Sequence, residues 1–291
     1  MLMSVPDALP LPMRLYLDVI VFVFGACIGS FLNVCVYRIP RNRSVIRPGS
    51  SCPRCHVPIA WHDNLPIISW LVLRARCRHC GGLIRPRYVI IEALTGILFL
   101  LVWLKWGLVP RPLGLAPALS FAAVIVGWTA LGGLILATFV DLERFIIPDR
   151  VSLGGIALGL ALGPLLPGLH GQTSWLSGLG SAAAGAALGT GLLLGVAGVG
   201  RLIFKREAMG LGDVKLLGAI GAFFGWQAVI FSVMVSSLTG SLVGVTMVTC
   251  GGRKMRSRIP FGPFLAWAAL LWLLWGPLWW QAYWTWLTPL Q

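Results

Sequence analysis

Acidic residues are scarce in this chain: nine Asp and Glu stand among 291 residues, and charged residues of both signs make up only 11%. A soluble domain carries about 25% charged residues, so an ordinary water-soluble enzyme is excluded. There is no H-E-x-x-H pair, which excludes the helical metalloprotease site built on it. No small-residue cleavage site precedes the first Arg-rich segment, so the first apolar run is expected to stay as a membrane span rather than leave as a signal peptide. Soluble repeats and low-complexity tails are missing too.

What the chain has instead is apolar: 57% hydrophobic residues, 36 Gly and 14 Trp. A helix of about 20 apolar residues crosses a hydrocarbon core of about 30 Å. Runs of that kind occupy 17–36, 89–104, 118–140, 151–166, 177–200, 227–248 and 261–286, and a shorter run at 214–226, with Gly225 near its end, makes an eighth. The pattern predicts an all-α polytopic membrane protein of about eight transmembrane helices. It divides as 1–37, a first transmembrane helix; 38–88, a polar loop; and 89–291, a second transmembrane region. Trp267, Trp272, Trp275, Trp279, Trp280 and Trp284 on the last run read as interfacial anchors and lipid-facing packing.

A formal net charge of +14 suggests nucleic acid until the charge is placed. Loop 38–88 holds ten Arg against one acid, Asp63. With eight spans it shares a side with 141–150, 201–213 and 251–260, which together with Lys215 just beyond the second of these collects 20 of the 23 Lys and Arg and leaves Arg14, Lys105 and Arg111 opposite. The positive-inside rule makes the rich side cytoplasmic and puts both termini outside. Anionic lipid is the expected partner of these arginines, and nucleic acid is not.

Cys27, Cys35 and Cys250 lie in or at the ends of apolar runs and read as small buried hydrophobes. Cys52-Pro53-Arg54-Cys55 and Cys77-Arg78-His79-Cys80 are two C-x2-C knuckles separated by 21 residues. Four thiolates so spaced can close a tetrahedron around one Zn²⁺, and a closed site leaves no position for an activated water. The metal is therefore structural, organising a loop with few apolar residues. His56, His62 and His79 read as ordinary loop histidines.

Acids near spans are functional suspects. Asp18, at the outer end of helix one, and Glu92, expected in the first turn of helix two, read as structural. Asp149 follows Pro148 and opens one span, while Asp213 follows Gly210-Leu211-Gly212 and opens another at the same cytoplasmic level. Two carboxylates within a few ångströms cannot both ionise cheaply, and one ionised beside one protonated is the arrangement that hydrolyses peptides in aspartic proteases. Glycines at 210 and 212 let a substrate strand approach the backbone. Asp141 and Glu143, in the same loop as Asp149, are rivals for the first position.

Taken in order, these motifs resemble the type IV prepilin peptidases, or leader peptidase/N-methyltransferases, from about residue 25 to 266. The resemblance rests on Gly29-Ser30-Phe31-Leu32-Asn33-Val34 with Tyr37-Arg38, the Cys knuckles, Phe139-Val140-Asp141-Leu142-Glu143, Pro148-Asp149, Glu207-Ala208-Met209-Gly210-Leu211-Gly212-Asp213-Val214-Lys215 and Ile259-Pro260-Phe261-Gly262-Pro263. It implies a bacterial inner-membrane enzyme that cuts the leader from type IV prepilins or type II secretion pseudopilins. It also implies methylation of the new N-terminal residue, with S-adenosylmethionine as donor. Carried over by motif, the catalytic pair is Asp149 and Asp213, with Asp141, Gly210, Gly212 and Lys215 supporting. The zinc ligands are Cys52, Cys55, Cys77 and Cys80, in a loop tied to methyl transfer. Gly96, with Glu92, is the candidate for contact with the methyl donor.

Two rivals explain less. A proton-coupled transporter would need acids in mid-span rather than at helix ends, and a nucleic-acid-binding anchor would leave Gly210–Asp213 unused. The charge asymmetry generates a direct test. An impermeant thiol reagent applied to intact cells should leave the cysteines of loop 38–88 unlabelled and reach them after lysis; labelling before lysis would invert the orientation.

Overall fold

The computed structural model describes residues 10–107, 117–205, 210–250 and 259–287, and their side chains except at 117–120 and Phe204. Arg111, Arg206, Glu207, Arg253, Lys254, Arg256 and Arg258 lie outside the described residues. Apart from the largely irregular loop 42–86, the described chain is mainly helical: α1 Leu11–Arg38, α2 Ile68–Val72, α3 Arg87–Trp106, α4 Pro117–Arg144, α5 Asp149–Leu165, α6 Trp175–Phe204, α7 Leu211–Thr249 and α8 Gly262–Leu287, with short 3₁₀ turns between some of them. No strand occurs among the described residues, only two isolated bridges, Ser51 with Pro58 and Arg76 with Leu83. Six of these helices are long and apolar enough to cross a membrane. This is a polytopic helical membrane protein.

The contacts divide the chain into two compact units, 1–136 and 137–291. In the first, α1 packs antiparallel on α3 along a seam of small residues. A Cβ on Gly25 would lie 2.9 Å from the Gly96 Cα, and one on Gly29 would lie 2.7 Å from the Glu92 Cα. Helices in lipid gain little from mutual apolar burial, and close backbone approach takes its place. Further along, Trp128 stacks on Phe99 at 5.1 Å between centroids and donates its Nε1–H to the Phe99 carbonyl at 2.9 Å. Asp18 accepts from Trp103 Nε1 at 3.2 Å, a structural role as expected. Glu92 departs from expectation: α3 starts at Arg87, so Glu92 is past the first turn and is buried against α1 instead of capping a helix. Cys35 is buried, but Cys27 on α1 and Cys250 just past the end of α7 are exposed rather than buried.

In the second unit α5 and α6 flank the first arm of α7. Gly155 faces Ala219 and Gly159 faces Ala222, so α5 runs parallel to that arm. Gly185 faces Gly221 and Gly189 faces Leu217, so α6 runs antiparallel to it. A continuous 39-residue helix would measure about 58 Å, nearly twice a hydrocarbon core. Gly225 prevents that, with φ 83° and ψ 177°. Beyond it the chain folds back, for a Cβ on Gly221 would lie 2.8 Å from Val229 Cγ2. Eight residues of straight helix would put those groups about 12 Å apart. The second arm, 226–249, packs antiparallel on α8 through Trp226 on Trp280 and Phe231 on Trp272. Trp272 is thus buried, while Trp267, Trp275, Trp279 and Trp284 are exposed as lipid-facing residues should be. Counting both arms of α7 and the 17-residue α5, the eight expected apolar runs each form helix.

The reversal at Gly225 uses a backbone conformation open almost only to glycine, and forcing another residue there costs about 1–3 kcal/mol. An added Cβ would also meet Gln227 Oε1 at 3.2 Å and His170 Nδ1 at 3.4 Å. Gly225→Ala should lower the thermal unfolding midpoint of the detergent-solubilised protein; an unchanged midpoint would mean that α7 does not depend on this reversal.

Candidate functional site

Four carboxylates of the second unit stand at helix ends: Asp141, Asp149, Asp213 and Glu143, the last of them exposed at the end of α4. The α5–α7 register sets two of them: Gly155 against Ala219 and Gly159 against Ala222 are offsets of 64 and 63 residues, and the same offset carries Asp149 to Asp213. Pro148, extended at ψ 135°, precedes α5 as its cap and leaves Asp149 in the first turn. The Asp149 side chain is 62% exposed, and Lys215 Nζ holds its Oδ1 at 2.7 Å. Lys215 comes from the first turns of α7, two residues beyond Asp213, so the pair ties the start of α7 to the start of α5.

Asp141 has a different setting. It lies in the last turns of α4, is 5% exposed, and its Oδ2 accepts the Gly262 backbone N–H at 3.0 Å. Gly262 is the first residue of α8, so the carboxylate meets the positive end of that helix. A Cβ on Gly262 would lie 2.7 Å from Asp141 Oδ2, which is why glycine stands in Ile259-Pro260-Phe261-Gly262-Pro263. Across the site, Gly210 and Gly212 bring the start of α7 against the turn before α5, where a Cβ on Gly212 would lie 3.1 Å from Ile147 Cβ. Asp213 follows, its N–H bonded to the Gly210 carbonyl at 3.2 Å. Asp141 acts electrostatically on the Asp213 carboxylate. Reading the sequence did not assign Gly262 a carboxylate partner or Lys215 an ion pair with Asp149.

In the first unit the four expected ligands converge: the Cys52, Cys55, Cys77 and Cys80 sulfurs all lie within 4.8 Å of one another. A tetrahedral ZnS₄ centre has edges of about 3.8 Å, and Cys52 and Cys80 stand 3.9 Å apart. The knuckles are built alike. Cys52 N–H bonds the Val57 carbonyl and His56 N–H the Cys52 carbonyl; Cys77 N–H bonds the Gly82 carbonyl and Gly81 N–H the Cys77 carbonyl. The fourth residue after each first cysteine has positive φ, His56 at 60° and Gly81 at 64°. The turns aim backbone N–H groups at sulfur. The Cys55 N–H, followed by that of Arg54, brings the Cys52 thiol down to about 6, and the Cys80 and His79 N–H groups lower that of Cys77. Such thiols are ready to ligate as thiolates. Between the knuckles, Arg78 makes a two-pronged bond to Asp63 at 2.8 and 2.6 Å and holds that carboxyl below its ordinary range. The donor set and its spacing fit one tetrahedral metal ion.

Glu92 and Gly96 differ in setting. Gly96 packs against Phe22 and Gly25 of α1, with no room for a side chain. Glu92 Oε2 accepts the Ile67 N–H at 2.8 Å, from loop 38–88.

Two family models match the chain: the bacterial Peptidase A24 N-terminal domain over residues 23–106 and the type IV leader peptidase family over 128–245. Among curated proteins, it is 38% identical to a prepilin leader peptidase/N-methyltransferase of Myxococcus xanthus, over 81% of this chain and 64% of that one. It is 33% identical to the protein of that name from Aeromonas salmonicida, over 88% of this chain and 90% of the relative, and 34% identical to the Neisseria gonorrhoeae protein over 84% and 85%. No solved structure matches. With these matches covering both the cysteine loop and the carboxylate site, the chain belongs to the type IV leader peptidase family.

Proposed function

We propose that this protein removes the leader peptide of type IV prepilins or type II secretion pseudopilins at the cytoplasmic face of the bacterial inner membrane, and N-methylates the residue so exposed. The observation that carries the peptidase reading is the α5–α7 register, in which the offset from Gly155 to Ala219 is also that from Asp149 to Asp213, with Asp141 as the buried supporting carboxylate. Two interacting carboxylates hold one proton between them. The ionised one draws a proton from water, the protonated one polarises the scissile carbonyl, and the shared proton passes to the departing amine. That amine is the new N-terminus. Gly210 has no side chain to crowd Asp213, since a Cβ there would lie 3.6 Å from Asp213 Oδ2.

Asp149 and Asp213 are the two aspartates that the motifs indicate. A second reading pairs Asp141 with Asp213, and what favours it is the environment: Asp141 is buried and anchored by an amide, whereas Asp149 is largely exposed and held by Lys215.

Residues 38–88 form the zinc-binding methyltransferase part, with one structural Zn²⁺ on Cys52, Cys55, Cys77 and Cys80, and 89–291 carries the peptidase. S-adenosylmethionine, when bound, supplies the methyl group. The cytoplasmic arginines meet anionic lipid, and both termini are periplasmic.

Asp→Asn keeps size and removes ionisation. Asp149→Asn and Asp213→Asn should each lower prepilin cleavage by about 10²–10⁴-fold, the range for losing an acid–base group, with Asp141→Asn milder. Gel assay of leader removal by the three variants decides it; an active Asp149→Asn beside a dead Asp141→Asn would move the site to the other pair. For the metal, elemental analysis should find one zinc per chain and none after Cys77→Ser, with methylation falling more than cleavage. Full methylation by a zinc-free Cys77→Ser protein would remove zinc from the methyltransferase part.

A further inference from the structure

Buried polar side chains of the first unit gather where α1 and α3 meet loop 38–88. Asn33 is 3% exposed, Glu92 8% and Thr95 0%. Thr95 is satisfied within its own helix, donating Oγ1–H to the Ile91 carbonyl at 2.6 Å. Asn33 is only half satisfied. Its Nδ2 donates to the Tyr88 carbonyl at 3.0 Å and the Gly29 carbonyl at 3.3 Å. Those two acceptors fix the orientation of the amide, because the flipped form would set oxygen against oxygen. Its buried Oδ1 has no partner. Glu92 lies one helical turn beyond Tyr88 and packs against Gly29, so both side chains border the same stretch of the α1–α3 seam.

Glu92 brings a carboxylate into this seam without a cation. The ion pairs of Arg78 and His62 with Asp63, and of Lys215 with Asp149, do not involve it. The Glu92 carboxylate is held in place instead, by the Ile67 N–H at 2.8 Å and by the Ser30 side chain. Ile67 has φ 63° and ψ −51°, and the Ile68 N–H reaches back to the Pro66 carbonyl at 2.6 Å. That is a γ-turn of the rare, strained hand, on a β-branched residue. Strain of this kind persists where surrounding structure over-determines it, and it clusters at functional sites.

A carboxylate lacking a cation beside an acceptor lacking a donor suits a group that only donates. An ammonium is such a group. We infer that Glu92 and Asn33 Oδ1 form the receptor for the α-amino group of the processed pilin, and that Glu92 takes the proton this amine loses before methylation. The inference rests on the N-methyltransferase reading above. The ammonium has no lone pair until its N–H bond breaks and the proton moves to the carboxylate. The freed pair then forms the N–CH₃ bond as the sulfonium C–S bond breaks, sulfur keeping those electrons. The product is a secondary ammonium, and the proton on Glu92 returns to water. The Ile67 and Ser30 hydrogen bonds orient the carboxylate for this exchange.

Glu92→Gln separates this role from a structural one, because glutamine keeps an oxygen for the Ile67 N–H while losing charge and basicity. Membranes with wild-type or variant enzyme are incubated with prepilin and S-adenosylmethionine, and the product is weighed by mass spectrometry. Leader removal, carried by the aspartates of the second unit, reports whether the variant is folded. Methylation should fall by about 100-fold, a loss expected for a proton-accepting group. A binding readout needs no turnover: detergent-solubilised wild type should prefer a synthetic mature-pilin N-terminal peptide over its N-acetylated form, and Glu92→Gln should not discriminate. Methylation at the wild-type rate by Glu92→Gln overturns the inference and leaves Glu92 as the holder of the Ile67 turn. Equal binding of the two peptides by the wild type overturns it as well, even if the variant fails to fold. A wild type that methylates no prepilin overturns the N-methyltransferase reading itself.

Discussion

Backbone-to-backbone contact between helices is the constraint on which the rest of this molecule depends. In lipid, apolar side chains gain little by facing one another, so register must come from surfaces that fit only one way. At Gly155, Gly159, Gly185, Gly189 and Gly221 the neighbouring helix leaves no space for a Cβ. Those contacts set α5, α6 and the first arm of α7 at fixed heights, and the heights decide which helix ends meet. The same device joins α1 to α3 through Gly25 and Gly29 and delivers Glu92 to the base of the cysteine loop.

Once the helices are placed, each acid is defined by what answers its charge. Asp149 is met by an ammonium in partial contact with water, a pairing worth little in stability but enough to neutralise it. Asp141 is met by a helix N-terminus and stays buried. Glu92 is met by an amide and has no cation among the described residues. Only the last two settings leave a buried charge uncompensated, and such groups are expensive unless function requires them. The cysteine loop solves a different problem. It has four converging sulfurs in place of a hydrophobic core, and its two knuckles repeat the same turn with backbone N–H groups aimed at the thiols.

Much of this was legible in the sequence because it is local. Apolar runs gave the helices, and even the short 214–226 run with Gly225 at its end corresponds to an arm of α7 that turns back. Two C-x2-C knuckles announced their cluster by spacing alone. The partners of the acids were not legible, because each depends on a distant residue. Asp141 meets Gly262 across 121 positions, and Lys215, next to the Asp213 motif, reaches Asp149 across 66. Equal depth of Asp149 and Asp213 was legible because both open helices, and the α5–α7 contacts keep the same offset. No propensity foretells a γ-turn at Ile67, since it is the Glu92 carboxylate that holds it.

The central claim is that Asp149 and Asp213 act as one proton-sharing unit while Asp141 supports it from outside. The pH dependence of kcat/KM for prepilin cleavage by the Asp141→Asn enzyme tests it most directly, because a coupled carboxylate pair gives a bell with two limbs that belong to the pair. The account predicts a bell that keeps both limbs. Loss of either limb on removing Asp141 would contradict it.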